Sequence, residues 1–287
     1  MWSDYPALHD LDRTAFARDR ALPPAQIEYA IFFTPRSGST WLTDVATRTG
    51  QIGRPDEAFN PRFLSRMMRS LNAGTLAEYC AVLRRRRSSG GVFGFEITHH
   101  QLRAVFGDHA SFRAYFPRPK IFWLIRRDII AQAVSLYKMR QTRIAHATDA
   151  IFDDIAERDH DIVYSPDDIA HWVNHILVAE QRSERLFQEA GWQPMRLCYE
   201  TNIRLGAKPT LNRMAEHLGL PPVMRAPSGA SVHRKIATSK NSDFSARFRA
   251  ENASFVAAVA RQRAPWLKKL RPYREQLDTL SADKNAA

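Results

Sequence analysis

Short apolar runs alternate with amphipathic stretches along most of the chain. The apolar runs predict buried strands, because a strand covered on both faces is apolar without interruption. The amphipathic stretches follow the helical period, and several of them end at glycine. The strands are predicted at residues 28–34, 91–98, 120–126 and 195–200, and the helices at residues 39–50, 75–87, 99–107, 128–144, 167–190 and 209–219, with two more towards the C-terminus.

This alternation predicts an α/β fold of three layers and P-loop type, in which a central, mainly parallel sheet is flanked by helices. Residues 120–126 are the most strand-like run, and we expect them at the centre of the sheet. Residues 1–26 are polar and are predicted to be a lead-in. We expect residues 27–287 to form a single domain that ends in a helical segment.

Composition and charge narrow the class of protein without choosing a ligand. The chain is 44% hydrophobic and 25% charged, as ordinary globular proteins are. Its formal net charge of +12 suits phosphate-bearing ligands, nucleic acid or an anionic membrane surface. The two cysteines predict neither a disulfide framework nor a metal site. The N-terminus lacks the apolar core of a signal peptide, and no apolar run approaches the about 18 residues of a membrane span. We therefore expect a cytoplasmic protein with at most peripheral membrane contact.

The segment 34-TPRSGSTW-41 has the composition of a phosphate-binding loop. It follows a predicted strand and opens a predicted helix, whose free N–H groups and dipole favour an anion. Gly38 permits a tight turn, Arg36 adds a cation, and the hydroxyls of Ser37, Ser39 and Thr40 add hydrogen-bond donors, with Ser39 or Thr40 expected to cap the helix. An ordinary capped turn between a strand and a helix is the alternative interpretation.

The loop does not have the Walker A pattern. That pattern requires a lysine directly after the second glycine, and no lysine follows Gly38. A nucleotide-dependent phosphotransferase of P-loop type therefore loses its main support.

A second candidate phosphate site lies in the stretch 126-RRDIIAQAVSLY-137. Two arginines follow the most strand-like run, and Ser135 lies on the helix that comes next. A path from loop to helix can bring Ser135 and Arg126 or Arg127 to one phosphate, which the forked guanidinium matches well. The choice between Arg126 and Arg127 stays open at this point.

The chain resembles the sulfotransferases at these residues, and more specifically it is similar to the bacterial trehalose 2-sulfotransferase family. The usual sulfotransferase loop carries lysine in place of Arg36. The matches keep the family order from Tyr29 to Arg249. The matching stretches are residues 36–42, 49–59, 91–94, 126–137, 141–142, 199–200 and 234–249.

The resemblance implies a sulfotransferase-like fold and PAPS (3′-phosphoadenosine 5′-phosphosulfate) as sulfuryl donor. It also implies a carbohydrate or glycolipid acceptor, adenosine 3′,5′-bisphosphate (PAP) as product and a homodimer. The first loop would bind the 5′-phosphosulfate, and an arginine with Ser135 would bind the 3′-phosphate. Trp41 would stack on the adenine, Tyr199 at the end of a strand would lie near it, and Arg234 and Lys235 would belong to a basic loop over the nucleotide.

The resemblance also points to Glu57, in 53-GRPDE-57, as the base that accepts the hydroxyl proton, while Arg36 would stabilise the departing phosphate. His99 or His100 is the rival, since cytosolic sulfotransferases use a histidine just after a later strand and histidine titrates near neutral pH. If Glu57 is the base, we expect His99 or His100 to contact the acceptor. Glu96 stands where the nearer relatives commonly carry lysine, which leaves the acceptor unidentified.

Two other functions stay open beside the sulfotransferase. One is the phosphotransferase of P-loop type, and the other is a non-catalytic binder of nucleic acid or an anionic polymer. The net positive charge suggests the second, but the sequence has no helix-turn-helix, zinc-finger or RNA-platform signature.

Overall fold

Four parallel strands form the centre of the structure, a computed structural model that describes residues 10–143, 159–224, 227 and 238–270. Their order across the sheet is β2-β1-β3-β4, and every neighbouring pair is parallel. The predicted α/β fold with a parallel sheet is confirmed, and the run 120–126 lies inside the sheet as expected. The strands are β1 (Ile27–Phe33), β2 (Val92–Ile97), β3 (Lys120–Ile125) and β4 (Met195–Cys198).

Helices cover both faces of this sheet. Alternate residues of each strand point to opposite faces, so Phe32 and Trp123 belong to one core and Ile31 and Leu124 to the other. The described helices are α1 (Arg13–Arg20), α2 (Ser39–Thr49), α3 (Leu64–Ser70), α4 (Leu76–Arg86), α5 (His99–Phe106), α6 (His109–Tyr115), α7 (Ile129–Thr142), α8 (Pro166–Glu189), α9 (Tyr199–Leu205), α10 (Ala207–Leu218), α11 (Ser239–Glu251) and α12 (Ala253–Leu267).

The sequence pattern missed the shortest helices. The helices α3, α6 and α9 have seven residues each, about two turns, which is too short to show a helical period. The helix α1 lies in the predicted lead-in and is attached to α4 by Arg13, whose guanidinium donates to both Glu78 carboxylate oxygens at 3.1 and 2.6 Å. The division into a lead-in and one domain stays a prediction. No helix among the described residues is long and apolar enough to cross a membrane.

The carboxyl ends of all four strands lie at one edge of the sheet, because the strands are parallel. The chain leaves this edge at Thr34, Thr98, Arg126 and Tyr199. Ligands of open α/β sheets bind at this edge. The predicted phosphate loop and the arginine pair therefore meet at the place where the fold forms a site.

Candidate active site at the carboxyl edge of the sheet

The loop from Thr34 to Gly38 is a tight turn with two residues in the left-handed region. Arg36 has φ 65° and Gly38 has φ 89°, and the Ser37 N–H donates to the Thr34 carbonyl at 3.2 Å. Gly38 itself occupies the cap position of α2, and no side chain caps the helix. The expectation that Ser39 or Thr40 caps it was wrong, because the helix begins at Ser39. A left-handed arginine costs energy and is typical of loops held in place for function.

Gln132 on α7 holds this loop in its strained shape. Its amide nitrogen donates to the Thr34 hydroxyl and to the Pro35 carbonyl, both at 2.8 Å. Gln132 is fully buried. It lies within the stretch 126–137 that the sequence singled out, but nothing in the local pattern distinguished it from the apolar residues around it.

Tyr199 lies directly against Gly38. A Cβ atom added to Gly38 would stand 2.1 Å from Cδ2 of the Tyr199 ring, so no other residue fits there without a displacement. The Arg126 guanidinium carbon lies 5.0 Å from the centroid of the same ring. Tyr199 begins α9 and does not end β4, which corrects the sequence-based expectation, because the strand stops at Cys198.

Two arginines converge on the loop. The Arg36 Nε donates to the Ser135 hydroxyl at 3.0 Å, and an Arg126 Nη donates to the Arg36 carbonyl at 3.3 Å. Burial, and then the nearby charge of Arg126, lower the pKa of Arg36. Two like charges held together in a partly buried place favour an anion beside them.

Ser37 provides the second sign of an anion. Its side chain is 0% exposed, and its hydroxyl has no hydrogen-bond partner among the described residues. Buried polar atoms are nearly always paired, so an unpaired hydroxyl next to Arg36 fits a phosphate or sulfate oxygen. The Ser39 hydroxyl differs, because it is hydrogen-bonded to the Glu96 carboxylate.

The structure separates the two arginines after β3. Arg126 is partly buried and contacts the loop, whereas Arg127 is exposed. Their backbone path is fixed by Glu200, whose carboxylate accepts the N–H of Arg127 at 3.0 Å and that of Asp128 at 3.1 Å. The Tyr-Glu pair at 199–200 thus contacts the phosphate loop with one side chain and the β3–α7 loop with the other.

Arg263 holds the same path from the far end of the chain. It is 1% exposed, and its guanidinium donates to the carbonyls of Arg126 and Arg127, each at 2.7 Å. It also donates twice to the Glu180 carboxylate at 2.8 Å, and that carboxylate accepts the Trp266 indole N–H at 2.9 Å. Sequence reasoning missed this group, because Arg263 lies more than 130 residues from the carbonyls it supports.

The structure shows fewer contacts for the other residues that are predicted to bind the nucleotide. Trp41 is partly buried and packs against the core on the α2 face of the sheet. Arg234 and Lys235 lie outside the described residues. Nearby, the Thr238 hydroxyl donates to Asp159 at 2.6 Å and accepts from the Lys138 ammonium at 2.8 Å, which attaches the start of α11 to α7.

Glu57 belongs to a segment that lies along β2, the outermost strand on one side of the sheet. The Glu96 N–H of β2 donates to the Asp56 carbonyl at 2.8 Å, which fixes the segment against the strand. One Glu57 carboxylate oxygen accepts the Asn60 amide at 2.9 Å and the Gln101 amide at 2.8 Å. The second carboxylate oxygen accepts neither of these amides.

Glu96 lies near the carboxyl end of β2, close enough to Glu57 and Asp56 for their charges to act on it. It is 4% exposed, one of its carboxylate oxygens has no partner among the described residues, and Ser39 binds the carboxylate. Burial, and then the charges of Glu57 and Asp56, raise the pKa of Glu96 well above its usual range. The Glu96 carboxyl therefore holds its proton to a higher pH than an exposed glutamate does.

His99 and His100 open α5 at the end of β2. Thr98 caps that helix by accepting the Gln101 N–H at 3.1 Å, while the Gln101 side chain accepts the Thr98 N–H at 2.8 Å. Burial and neighbouring cations lower the pKa of His99 to about 4, and the pKa of His100 is also lowered. Near neutral pH the two rings are therefore uncharged, and each is a weaker base than an ordinary imidazole.

A family profile matches most of the chain. The family profile described as Stf0 sulphotransferase matches residues 28–251. A sulfotransferase from Alicyclobacillus acidocaldarius aligns in structure over 88% of this chain and 93% of its own, with 12% sequence identity and a TM-score of 0.35. No protein of curated function matches the chain in sequence.

Proposed function

The chain belongs to the Stf0 sulphotransferase family, and from this premise we propose that it transfers the sulfuryl group of PAPS to a hydroxyl of a carbohydrate or glycolipid, releasing PAP. The observation that carries the proposal is the hydrogen bond of 3.0 Å between Arg36 and Ser135. It joins the loop predicted to bind the 5′-phosphosulfate to the helix predicted to bind the 3′-phosphate, across 99 residues of sequence.

The residues at this edge fit a ligand that carries several anionic groups. Ser37 has a buried, unpaired hydroxyl, and Arg36 and Arg126 hold like charges close together. We assign the 5′-phosphosulfate to the loop of Arg36, Ser37, Gly38, Ser39 and Thr40. We assign the 3′-phosphate to Ser135 with Arg126, since Arg126 is the arginine that contacts the loop, and the adenine to Trp41 and Tyr199.

Bound PAPS would supply the sulfuryl group. The oxygen of the acceptor hydroxyl bonds to the sulfur while the bond between sulfur and the 5′-phosphate oxygen breaks, and PAP leaves. Glu57 accepts the proton of that hydroxyl, and the Asn60 and Gln101 amides fix the orientation of its carboxylate. Arg36 meets the negative charge that grows on the phosphate, as preorganised cations do in other group transfers. His99 and His100 lie beside Gln101 and contact the acceptor.

The second carboxyl group of this region belongs to Glu96, and its raised pKa favours the neutral, protonated form. Two carboxylates in one site do not ionise equally, and the more buried one retains the proton. We propose that the neutral Glu96 carboxyl limits the negative charge beside the phosphate loop. Relatives with lysine at this position would neutralise that charge in another way.

A transfer assay tests the proposed function. The protein is incubated with PAPS and a panel of glycans and glycolipids, and mass spectrometry detects a sulfate ester. ATP replaces PAPS in a parallel arm, and an oligonucleotide binding assay forms another. Sulfated product with PAPS alone supports the proposal, whereas phosphorylated product with ATP, or oligonucleotide binding without any transfer, contradicts it. A cytoplasmic location and a homodimer stay predictions.

A further inference from the structure

A cleft of about 470 Å³ lies between the α5–α6 hairpin and the C-terminal third of α8, outside the groups assigned above to the nucleotide. It begins at the two histidines of α5 and runs along exposed arginines of α8. Among its lining residues, basic and imidazole groups outnumber carboxylates by six to two. These six groups are His99, His100, Arg103, His109, Arg182 and Arg185.

The arginines of the cleft are not neutralised by the described part of the protein. The side chains of Arg103, Arg182 and Arg185 make no ion pair or hydrogen bond with any described residue. Of the two carboxylates, Asp108 is engaged as the cap of α6, where it accepts the Ser111 N–H at 2.7 Å. With the His99 and His100 rings uncharged, three arginines still stand against the carboxylates of Asp108 and Glu189, so the cleft keeps an excess of positive charge that an anion would balance.

The charge of Arg182 affects the pKa of both histidines of α5. After burial, the next causes that lower the pKa of His99 are His100 and the charge of Arg182, and Arg182 also lowers the pKa of His100. The His99 Nδ1 atom is buried and has no hydrogen-bond partner among the described residues. Arg182, Arg185 and the two histidines thus line the same cleft.

The cleft and the acceptor side of the proposed active site share the first turn of α5. His99 and His100 precede Gln101, whose amide donates to Glu57 at 2.8 Å. An acceptor whose hydroxyl reached Glu57 would place its next atoms against the two imidazoles. The part of the acceptor beyond them would lie against Arg182 and Arg185.

We propose that this cleft binds an anionic substituent of the acceptor, a phosphate, sulfate or carboxylate on the sugar. The proposal rests on the proposed function, because it assigns the class of acceptor for the same transfer. Arginines suit this task, since their planar fork binds an oxyanion through two hydrogen bonds. The preferred acceptor is then an anionic carbohydrate or glycolipid, and a neutral sugar is a poorer one.

The first experiment measures binding to the cleft without any turnover. The protein is saturated with PAP to occupy the phosphate loop, inorganic phosphate is added, and NMR follows the histidine ring signals. We expect saturable shifts of His99 and His100. The double variant Arg182→Gln/Arg185→Gln should bind phosphate about tenfold or more weakly, the effect of losing one charged hydrogen bond.

Arg20→Gln is the matched control, since Arg20 is an exposed arginine on α1 away from the cleft. It should bind phosphate as the unmodified protein does. The proposal is overturned if phosphate leaves the histidine signals unchanged, or if the double variant and Arg20→Gln behave alike. A circular dichroism melt of each variant shows whether it folds.

The second experiment compares acceptors that differ only in charge. For a neutral glycan and its phosphorylated, sulfated or uronic counterparts, we expect a KM about tenfold lower for at least one anionic form, and no such preference in the double variant. Equal KM values overturn the cleft proposal while transfer itself stands. If no acceptor is sulfated, the proposed function fails, and the phosphate titration still decides whether the cleft binds anions.

Discussion

The donor and acceptor sides of this edge differ in how firmly they are held. On the donor side, the phosphate loop is bonded to α7 through Gln132 and Ser135, and the β3–α7 loop is bonded to Glu200 and Arg263. On the acceptor side, Glu57 is held by two amides, while the histidines and arginines of the cleft face an opening. The donor side is built as a fixed cradle and the acceptor side as an open surface.

This difference follows from what each side has to do. The sulfuryl donor would be the same compound in every turnover. Hydrogen-bond donors and cations of the protein that are already in position can therefore stabilise its charge without reorganising. Acceptors vary among related enzymes, and loops and exposed side chains change at little cost to the fold. The predictions below therefore test the two sides by different measurements: changes in the cradle should weaken PAP binding, whereas changes on the acceptor side should alter turnover and leave PAP binding unchanged.

The largest effect is expected from Glu57→Gln, which keeps the hydrogen bonds of the side chain and removes its basicity. Turnover should fall by about 10²- to 10⁴-fold, the usual contribution of a general base. PAP affinity, measured by calorimetry, should stay unchanged because Glu57 lies on the acceptor side. Normal turnover in this variant, with a loss in His99→Ala instead, would transfer the role of base to the histidine.

Gly38→Ala tests the cradle directly. The new Cβ would stand 2.1 Å from the Tyr199 ring, and the residue would keep φ 89°. We expect PAP binding to weaken by about 100-fold, a loss of about 2.7 kcal/mol. The double variant Gly38→Ala/Tyr199→Ala removes the steric clash, and it should recover affinity only in part because the backbone strain remains and the ring assigned to the adenine is lost. Full affinity in Gly38→Ala alone would contradict the packing described above.

Arg263→Met tests whether support from a distance matters to the cradle. It leaves the buried Glu180 carboxylate without its cation, so the free energy of unfolding should fall by roughly 3–5 kcal/mol. Arg261→Met, at an exposed site on the same helix, is the control. Adding Glu180→Gln should restore stability but not PAP affinity, because the carbonyls of Arg126 and Arg127 stay unsupported. Recovery of both would make Arg263 merely structural.

The smallest effect on turnover is expected from Glu96→Gln, since glutamine imitates a protonated glutamate. Burial raises the pKa of Glu96 above its ordinary value of 4.5. The folded state therefore holds a proton that the unfolded state releases above that pH, and the wild type loses stability there as pH rises. The variant should gain about 1.4 kcal/mol on the wild type per pH unit until the raised pKa is passed. Equal melting curves from pH 4 to 8 would contradict a neutral Glu96.

The sequence could predict what is local. The four strands, their parallel arrangement and the candidate phosphate loop follow from apolar runs that alternate with helices and from a glycine turn between β1 and α2. The choice of Arg126 over Arg127 at the loop depends on how the chain leaves β3, which the Glu200 carboxylate and Arg263 determine. These partners lie far away in the sequence, so no local pattern indicates them.

The acceptor side was less predictable for the same reason. The Gln101 side chain is part of the cap of α5 and also donates a hydrogen bond to Glu57. Only the fold brings Gln101 and Glu57 together. The cleft forms only because α5, α6 and α8 lie side by side. In the sequence, its arginines have the pattern of an ordinary exposed helix face.

The account depends most on the claim that the cradle binds a nucleotide with a 3′-phosphate. Calorimetry that compares PAP with adenosine 5′-phosphate, which lacks only that group, tests it most directly. We expect PAP to bind at least about tenfold more tightly, and Ser135→Ala to reduce that advantage. Equal affinity for the two nucleotides would contradict the assignment of the Arg126 and Ser135 side to the 3′-phosphate.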